Sequence, residues 1–202
     1  MTKAKYPVNL KAAVDFQKKM FPAERLLFHC IDALESLEKA GNVPRNNAEP
    51  FIHELLDHYQ ERMLAQMPEN LGELGLLVRA YTTDEIWREI KINCGESLGT
   101  LAEAVLESYG IDPEYHPWCF YIGRKRREKL YLYSTGNESL LDRGDIYADG
   151  CTLWGQGLKK NKVFYLDVTG HLDDVMMCKV VDYVYPYEDE PVVTDKKGDS
   201  PW

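Results

Sequence analysis

Five cations in six positions, Arg124, Lys125, Arg126, Arg127 and Lys129, stand in a chain whose formal charge is -9. Side chains of that sign contact phosphates, and Tyr121, Tyr131 and Tyr133 on either side offer ring faces for unpaired bases to stack on. The run therefore has the composition of a nucleic-acid contact. It also suits a solvated hairpin tip, whose charges hold the turn out of the core.

A second group is acidic. Asp142, Asp145, Asp149, Asp167, Asp173 and Asp174 gather in the C-terminal half. Divalent cations prefer oxygen ligands, and a magnesium ion held by Asp142, Asp145, Asp167 and Asp173 would support phosphodiester hydrolysis. The spacing lacks the Gly and the closing Glu of an EF-hand loop, and Asp and Gly also build ordinary turns. His53 and His58 bracket His-Glu-Leu-Leu-Asp-His, but a metal held on one helical face needs histidines four residues apart, not five. They read as exposed polar residues of an amphipathic helix. Trp87-Arg88 could present a guanidinium to an anion, although a strand Trp is more often a core anchor whose neighbour faces solvent. His116 has no matched nucleophile, and neither Cys94 nor Cys119 has a context that would activate its thiol. A structural hydrogen bond is the expected role of His116, and packing that of Cys119.

The elements that position these residues follow from periodicity. Leu76–Tyr81 and Ile86–Ile92 read as the two strands of a hairpin about a turn at Thr82–Glu85, the second alternating apolar and polar. Ser97 stands as an N-cap before Leu98, Leu101, Ala102, Val105 and Tyr109, and Gly110 stops that helix. Trp118–Ile122 is a third strand, and Leu130–Tyr133 returns from the basic tip. Residues 134–162, rich in Gly, Asp, Ser and Asn, read as a long loop with short ordered pieces near Ile146-Tyr147 and Leu153-Trp154. Val163–Val168 and Val175–Tyr185 are read as the last strands, the second central. From Pro186 the chain alternates proline and acid, and residues 188–202 are expected to fray.

Upstream lies a helical unit over residues 1–72. A short helix from Asn9 is expected to end at Phe21-Pro22, followed by a longer one over Leu26–Leu37 and a third from Pro50 to about Gln66. The whole reads as α+β, a mainly antiparallel sheet with one packed helix over residues 73–187 preceded by the helical unit.

Composition narrows the function. A pI near 5.1 argues against a general surface for duplex DNA. The 5 cysteines are odd in number and never in a Cys-x-x-Cys pair, which suits reduced thiols in a cytoplasm and no zinc knuckle. No apolar run approaches the ~20 residues needed to span a bilayer. No cofactor is expected.

The order strand, strand, Trp-Arg, helix closed by an aromatic-Gly pair, then a His shortly before an aromatic strand resembles the plasmid pRiA4b ORF-3-like family. Ile86-Trp87-Arg88 matches its Ile-Trp-Arg motif, and His116 and Phe120 match its later His and Phe. The family's Tyr-Asp-Phe-Gly-Asp-x-Trp block has its nearest counterpart in Phe164–Leu172, which keeps Asp167 but lacks the second Asp and the Trp. The resemblance covers residues 74–187. It implies an α+β fold carried by genes of plasmids and insertion elements. The expected function is a non-enzymatic binding or regulatory protein of a mobile-element or phage-related system, acting through protein contacts with help from the basic tip. The alternative is a metal-dependent phosphodiesterase or nuclease built on the Asp cluster.

Overall fold

The structure, a computed structural model, describes residues 9–42, 48–116, 118–122, 131–134, 146–148, 151–168, 175–187 and 189–201. The chain divides into two compact units, Met1–Leu71 and Gly72–Trp202.

The first unit holds α1 (Leu10–Lys39) and α2 (Ala48–Leu64). Asn9 caps α1, its side chain accepting from the Ala12 amide. The break expected at Phe21-Pro22 does not occur, and α1 continues through it for 30 residues. A proline inside a helix costs about 3 kcal/mol. The compensation is phase: Ala13, Phe16 and Leu27, all buried, lie along one stripe only if the helix is unbroken.

The second unit is α+β. Its sheet contains β1 (Gly75–Thr83), β2 (Ile86–Asn93), β3 (Trp118–Tyr121), β4 (Tyr131–Ser134), β5 (Ile146–Tyr147), β6 (Val163–Asp167), β7 (Val175–Val184) and β8 (Val192–Lys197), in the order β5-β4-β3-β6-β7-β1-β2-β8. Every pairing is antiparallel except β4 with β5. β7 lies inside the sheet between β6 and β1, as its near-continuous apolar run suggests.

One helix, α3 (Leu98–Ser108), packs on the sheet. Ser97 Oγ accepts from the Thr100 amide at 2.9 Å, and Gly110 ends the helix at φ 77° while the Ile111 amide returns to Leu106 O. Alternation along each strand and the cross-strand register collect Val78, Ala80, Ile90, Val180, Cys178, Phe164, Leu166 and Phe120 on one face. All eight are fully buried. Leu98, Leu101, Ala102 and Val105 of α3 complete that core. Tyr109 closes it, its hydroxyl donating to Ala80 O at 2.9 Å. The end of the long loop is ordered against the same layer: the Leu98, Leu153 and Trp154 amides donate to Cys151 O, Glu96 O and Cys94 O.

The tail differs from the sequence expectation. Val192–Lys197 does not fray but forms β8 along β2, with Lys91 opposite Val192 and Trp87 opposite Lys197. Tyr187, 5% exposed, anchors the approach by donating to Lys91 O or Glu190 O. These partners are distant in sequence, and composition alone carries no trace of them.

Candidate functional site

The Trp-Arg pair is placed the opposite way round from the usual expectation for a strand Trp. Arg88, 4% exposed, points to the α3 side with Ala80 and Ile90, while Trp87 is half-buried on the other face. Strict alternation forces this, since Arg88, Ile90 and Ile92 share one side of β2. The guanidinium is consumed by main-chain oxygens. Nε donates to Ser108 O at 3.0 Å, and Nη1 lies within reach of Trp87 O (2.9 Å), Gly198 O (3.1 Å) and Lys197 O (3.2 Å). Its plane also lies 4.5 Å from the centre of the Tyr109 ring. Arg88 therefore ties the C-terminal end of α3 to the end of β8, and a cation there also meets the negative end of the helix dipole. Trp87 instead carries Arg79, whose guanidinium sits 4.3 Å over its ring and pairs with Glu89 at 2.5 Å. That bond to Glu89, outweighing partial burial, holds the Arg79 guanidinium above its ordinary range.

Asp167 is 1% exposed and lies opposite Cys119, also buried, on the face away from α3. Tyr121 donates its hydroxyl to Asp167 Oδ2 at 3.1 Å. Burial first, and then the neighbouring Cys119 and Asp167, push the Tyr121 phenol far up. Tyr121, Cys119 and Asp167 thus form one polar cluster between β3 and β6. Phe120 turns to the α3 side, 5.8 Å from Trp118 and 5.7 Å from Phe164 between ring centres. His116 is exposed in the turn before β3. His53 and His58 are exposed on α2, and His58 lies between Glu54 (3.9 Å) and Glu61 (4.0 Å).

Arg124, Lys125, Arg126, Arg127, Lys129, Asp142, Asp145 and Asp173 lie outside the described residues. Tyr131 is placed in β4, in register with Tyr121. Among the described residues, no group of three or more His, Cys, Asp and Glu is arranged to hold a metal ion.

Two surfaces escaped the sequence reading. In the first unit a cleft of about 510 Å³ opens between α1 and α2, lined by Leu26, Leu27, Cys30, Leu55, Tyr59 and Met63, with His58 and Arg62 at its rim. Leu26 is 65% and Leu55 38% exposed, and Phe51, one turn before Leu55, is 59% exposed. The broad apolar stripe of α1 was the available signal. In the second unit a groove of about 660 Å³ runs between α3 and β8. It is lined by Glu96, Thr100, Glu103 and Glu107, and by Glu190 and Val193. The three- and four-residue spacing of Thr100, Glu103 and Glu107 marks the outer helix face, but the facing strand has no local sequence signal.

Comparison with protein-family models and with curated proteins finds no match. Among solved structures, a protein of unknown function from Methanosarcina mazei Go1 is similar, with a TM-score of 0.51 at 13% identity, covering 63% of this chain and 71% of that one. The similarity is one of fold. No helix among the described residues is long and apolar enough to cross a membrane.

Proposed function

We propose that the chain is a non-enzymatic binding protein of a mobile-element or phage-related system, working in the cytoplasm and gripping an amphipathic helix of a partner protein in the α1/α2 cleft. The observation that carries the reading is that cleft, where Leu26 and Leu55 stand exposed beside Phe51. A soluble helix pair gains nothing from leaving such side chains in water, and grooves of this kind receive the apolar face of a partner helix. Covering each gains about 1.5–3 kcal/mol, against an association cost of about 4–15 kcal/mol. Three anchors alone thus support weak, reversible binding. The resemblance of residues 74–187 to the pRiA4b ORF-3-like family supports the mobile-element setting, and the burial of four of the 5 cysteines outside any disulfide is compatible with a reducing compartment. The basic run Arg124–Lys129 supplies cations for an accompanying nucleic-acid contact.

The test is capture from the native host, with and without nuclease, by the parent protein and by Leu26→Asp/Leu55→Asp. The expected result is a protein retained after nuclease treatment by the parent and lost by the variant. Recovery of no macromolecular partner, or equal recovery by the variant, would refute the reading.

A further inference from the structure

Among the described residues β8 ends the sheet, paired with β2 on one side only, and all six of its residues are exposed. A strand in that position turns a row of N–H and C=O groups outward, and proteins blunt such edges with charges and bulges. The guarding here is uneven. The C-terminal half carries Asp195, Lys196 and Lys197, and the Asp195 carboxylate accepts from the Lys196 amide at 2.8 Å. Lys197 is tied to Glu85 at 2.5 Å. The N-terminal half, Val192-Val193-Thr194, has no charge, and its valines are 46% and 41% exposed. That half is guarded by no charge but by the irregularity at Thr194, where the register with β2 shifts between Glu89 and Ile90, and it adjoins the groove along α3. Val193 lies opposite Ile90 and so faces the α3 side, where Ala104 and Pro191 give the groove an apolar floor. Its walls carry Glu96, Glu103, Glu107 and Glu190.

We propose that the β8 edge and this groove accept an extended, basic segment of a partner protein by strand addition. A strand laid along Val192–Thr194 would continue the sheet through its main chain. Its alternate side chains would point over the groove. Lys or Arg at those positions meets carboxylates on both walls, and the methylene stems cover Ala104 and Val193. An acidic segment would meet like charge. This surface lies in the second unit and shares no residue with the α1/α2 cleft, so its failure leaves the reading of that cleft standing.

The probe is a synthetic eight-residue peptide alternating Lys and Val, titrated into the full-length protein with fluorescence anisotropy and amide exchange as readouts. Three comparisons are made: a Glu/Val peptide, a Lys/Val peptide N-methylated at alternate residues, and the protein variant Glu107→Lys/Glu190→Lys, whose two sites are exposed. The expected result is binding that protects β8 amides, weakens with salt, falls at least roughly tenfold in the variant, and is lost with the other two peptides. Absence of binding, equal binding of the Glu/Val peptide, or an unchanged affinity after N-methylation would overturn it. Self-association of the parent protein that the double variant abolishes would assign the groove to a second copy and overturn the partner.

Discussion

Replacing Arg88 with Met tests whether the Trp-Arg pair is architecture or an anion contact. The side chain volume is nearly kept, so the loss is of charge and hydrogen bonds. Beyond its own neighbour, the guanidinium serves Ser108 O, Lys197 O and Gly198 O. A bond from a charged donor is worth about 1.5–3 kcal/mol, and an orphaned buried carbonyl costs about 1–3 kcal/mol. Two offsets apply. Lys197 and Gly198 are exposed and rehydrate easily, and removing a buried cation recovers several kcal/mol of desolvation. Against these stand the stacking on Tyr109 and the favourable helix end, together about 1–3 kcal/mol. The net loss is about 3 kcal/mol, a fall of about 10 °C in Tm for a unit of this size. Urea unfolding measures it, and hydrogen exchange locates it in β8 and the last turn of α3. Arg88→Lys keeps the charge but not the planar fork, and should recover less than half. Lys197→Met, which removes only an ion pair with side chains 49% and 78% exposed, is the control on the same strand. A loss below about 1 kcal/mol for Arg88→Met, or unchanged exchange of β8, would refute the assignment and return Arg88 to the candidates for anion binding.

Gly198, at φ 73° with the position of an added Cβ only 2.7 Å from Glu85 O, should not tolerate Ala. A cost of about 1–2 kcal/mol and faster exchange in β8 are expected, read by the same methods. Burial pushes the thiols of Cys94 and Cys178 up to about 12, and Cys119 and Cys151 are also buried, whereas Cys30 is exposed. Maleimide at neutral pH should therefore label Cys30 alone in the native protein and all 5 cysteines after denaturation, as counted by intact mass. Partial burial pulls the Asp182 carboxyl up, but the Lys160 ammonium at 2.7 Å and the Tyr183 amide hold it below the ordinary carboxylate range. A depressed folded value contributes stability above the unfolded carboxylate pKa and loses it as pH falls through the folded one. Asp182→Asn should thus flatten the acid limb of a stability-against-pH curve, by less than about 1 kcal/mol because the pair is solvent-screened. Manganese should give no shift in Tm through Asp167, whose carboxylate is buried and already accepts from Tyr121. A shift abolished by Asp167→Asn would instead favour the metal-dependent phosphodiesterase.

The elements that could be read from sequence are those whose signals are local. The β1–β2 hairpin announces itself by alternation over Ile86–Ile92, and α3 by the Ser97 cap, its apolar spacing and Gly110. Pro22 misled because a local rule met a longer-range one. A residue-pair preference worth a few kcal/mol yields when an unbroken helix keeps Ala13, Phe16 and Leu27 in one stripe. The tail misled because β8 owes its order to partners about a hundred residues away, the ladder of β2, the Arg88 guanidinium and the Lys91 carbonyl met by Tyr187. A short, polar run has no way to display such partners. Arg88 was different. Its place beside Ile90 and Ile92 in the alternation already puts it on the core side, and the general habit of strand tryptophans obscured a signal present in the spacing.

Arg88 is turned into the core and is not a surface cation. A buried cation whose donors face four carbonyls has little left to offer a ligand, and Asp167, enclosed with Tyr121 and Cys119, presents no open carboxylate to a metal. The residues that carry the family resemblance and are buried, Arg88, Phe120 and Asp167, are thus engaged in holding the sheet. Binding free energy must come from groups that still have contacts to gain. In the described residues these are apolar side chains left in water on α1 and α2, and a strand edge beside carboxylates on α3. The first suits a helix and the second a strand. If both proposed contacts are made by linked segments, the avidity exceeds either contact alone. Under the proposed binding role, weak individual sites would then be sufficient.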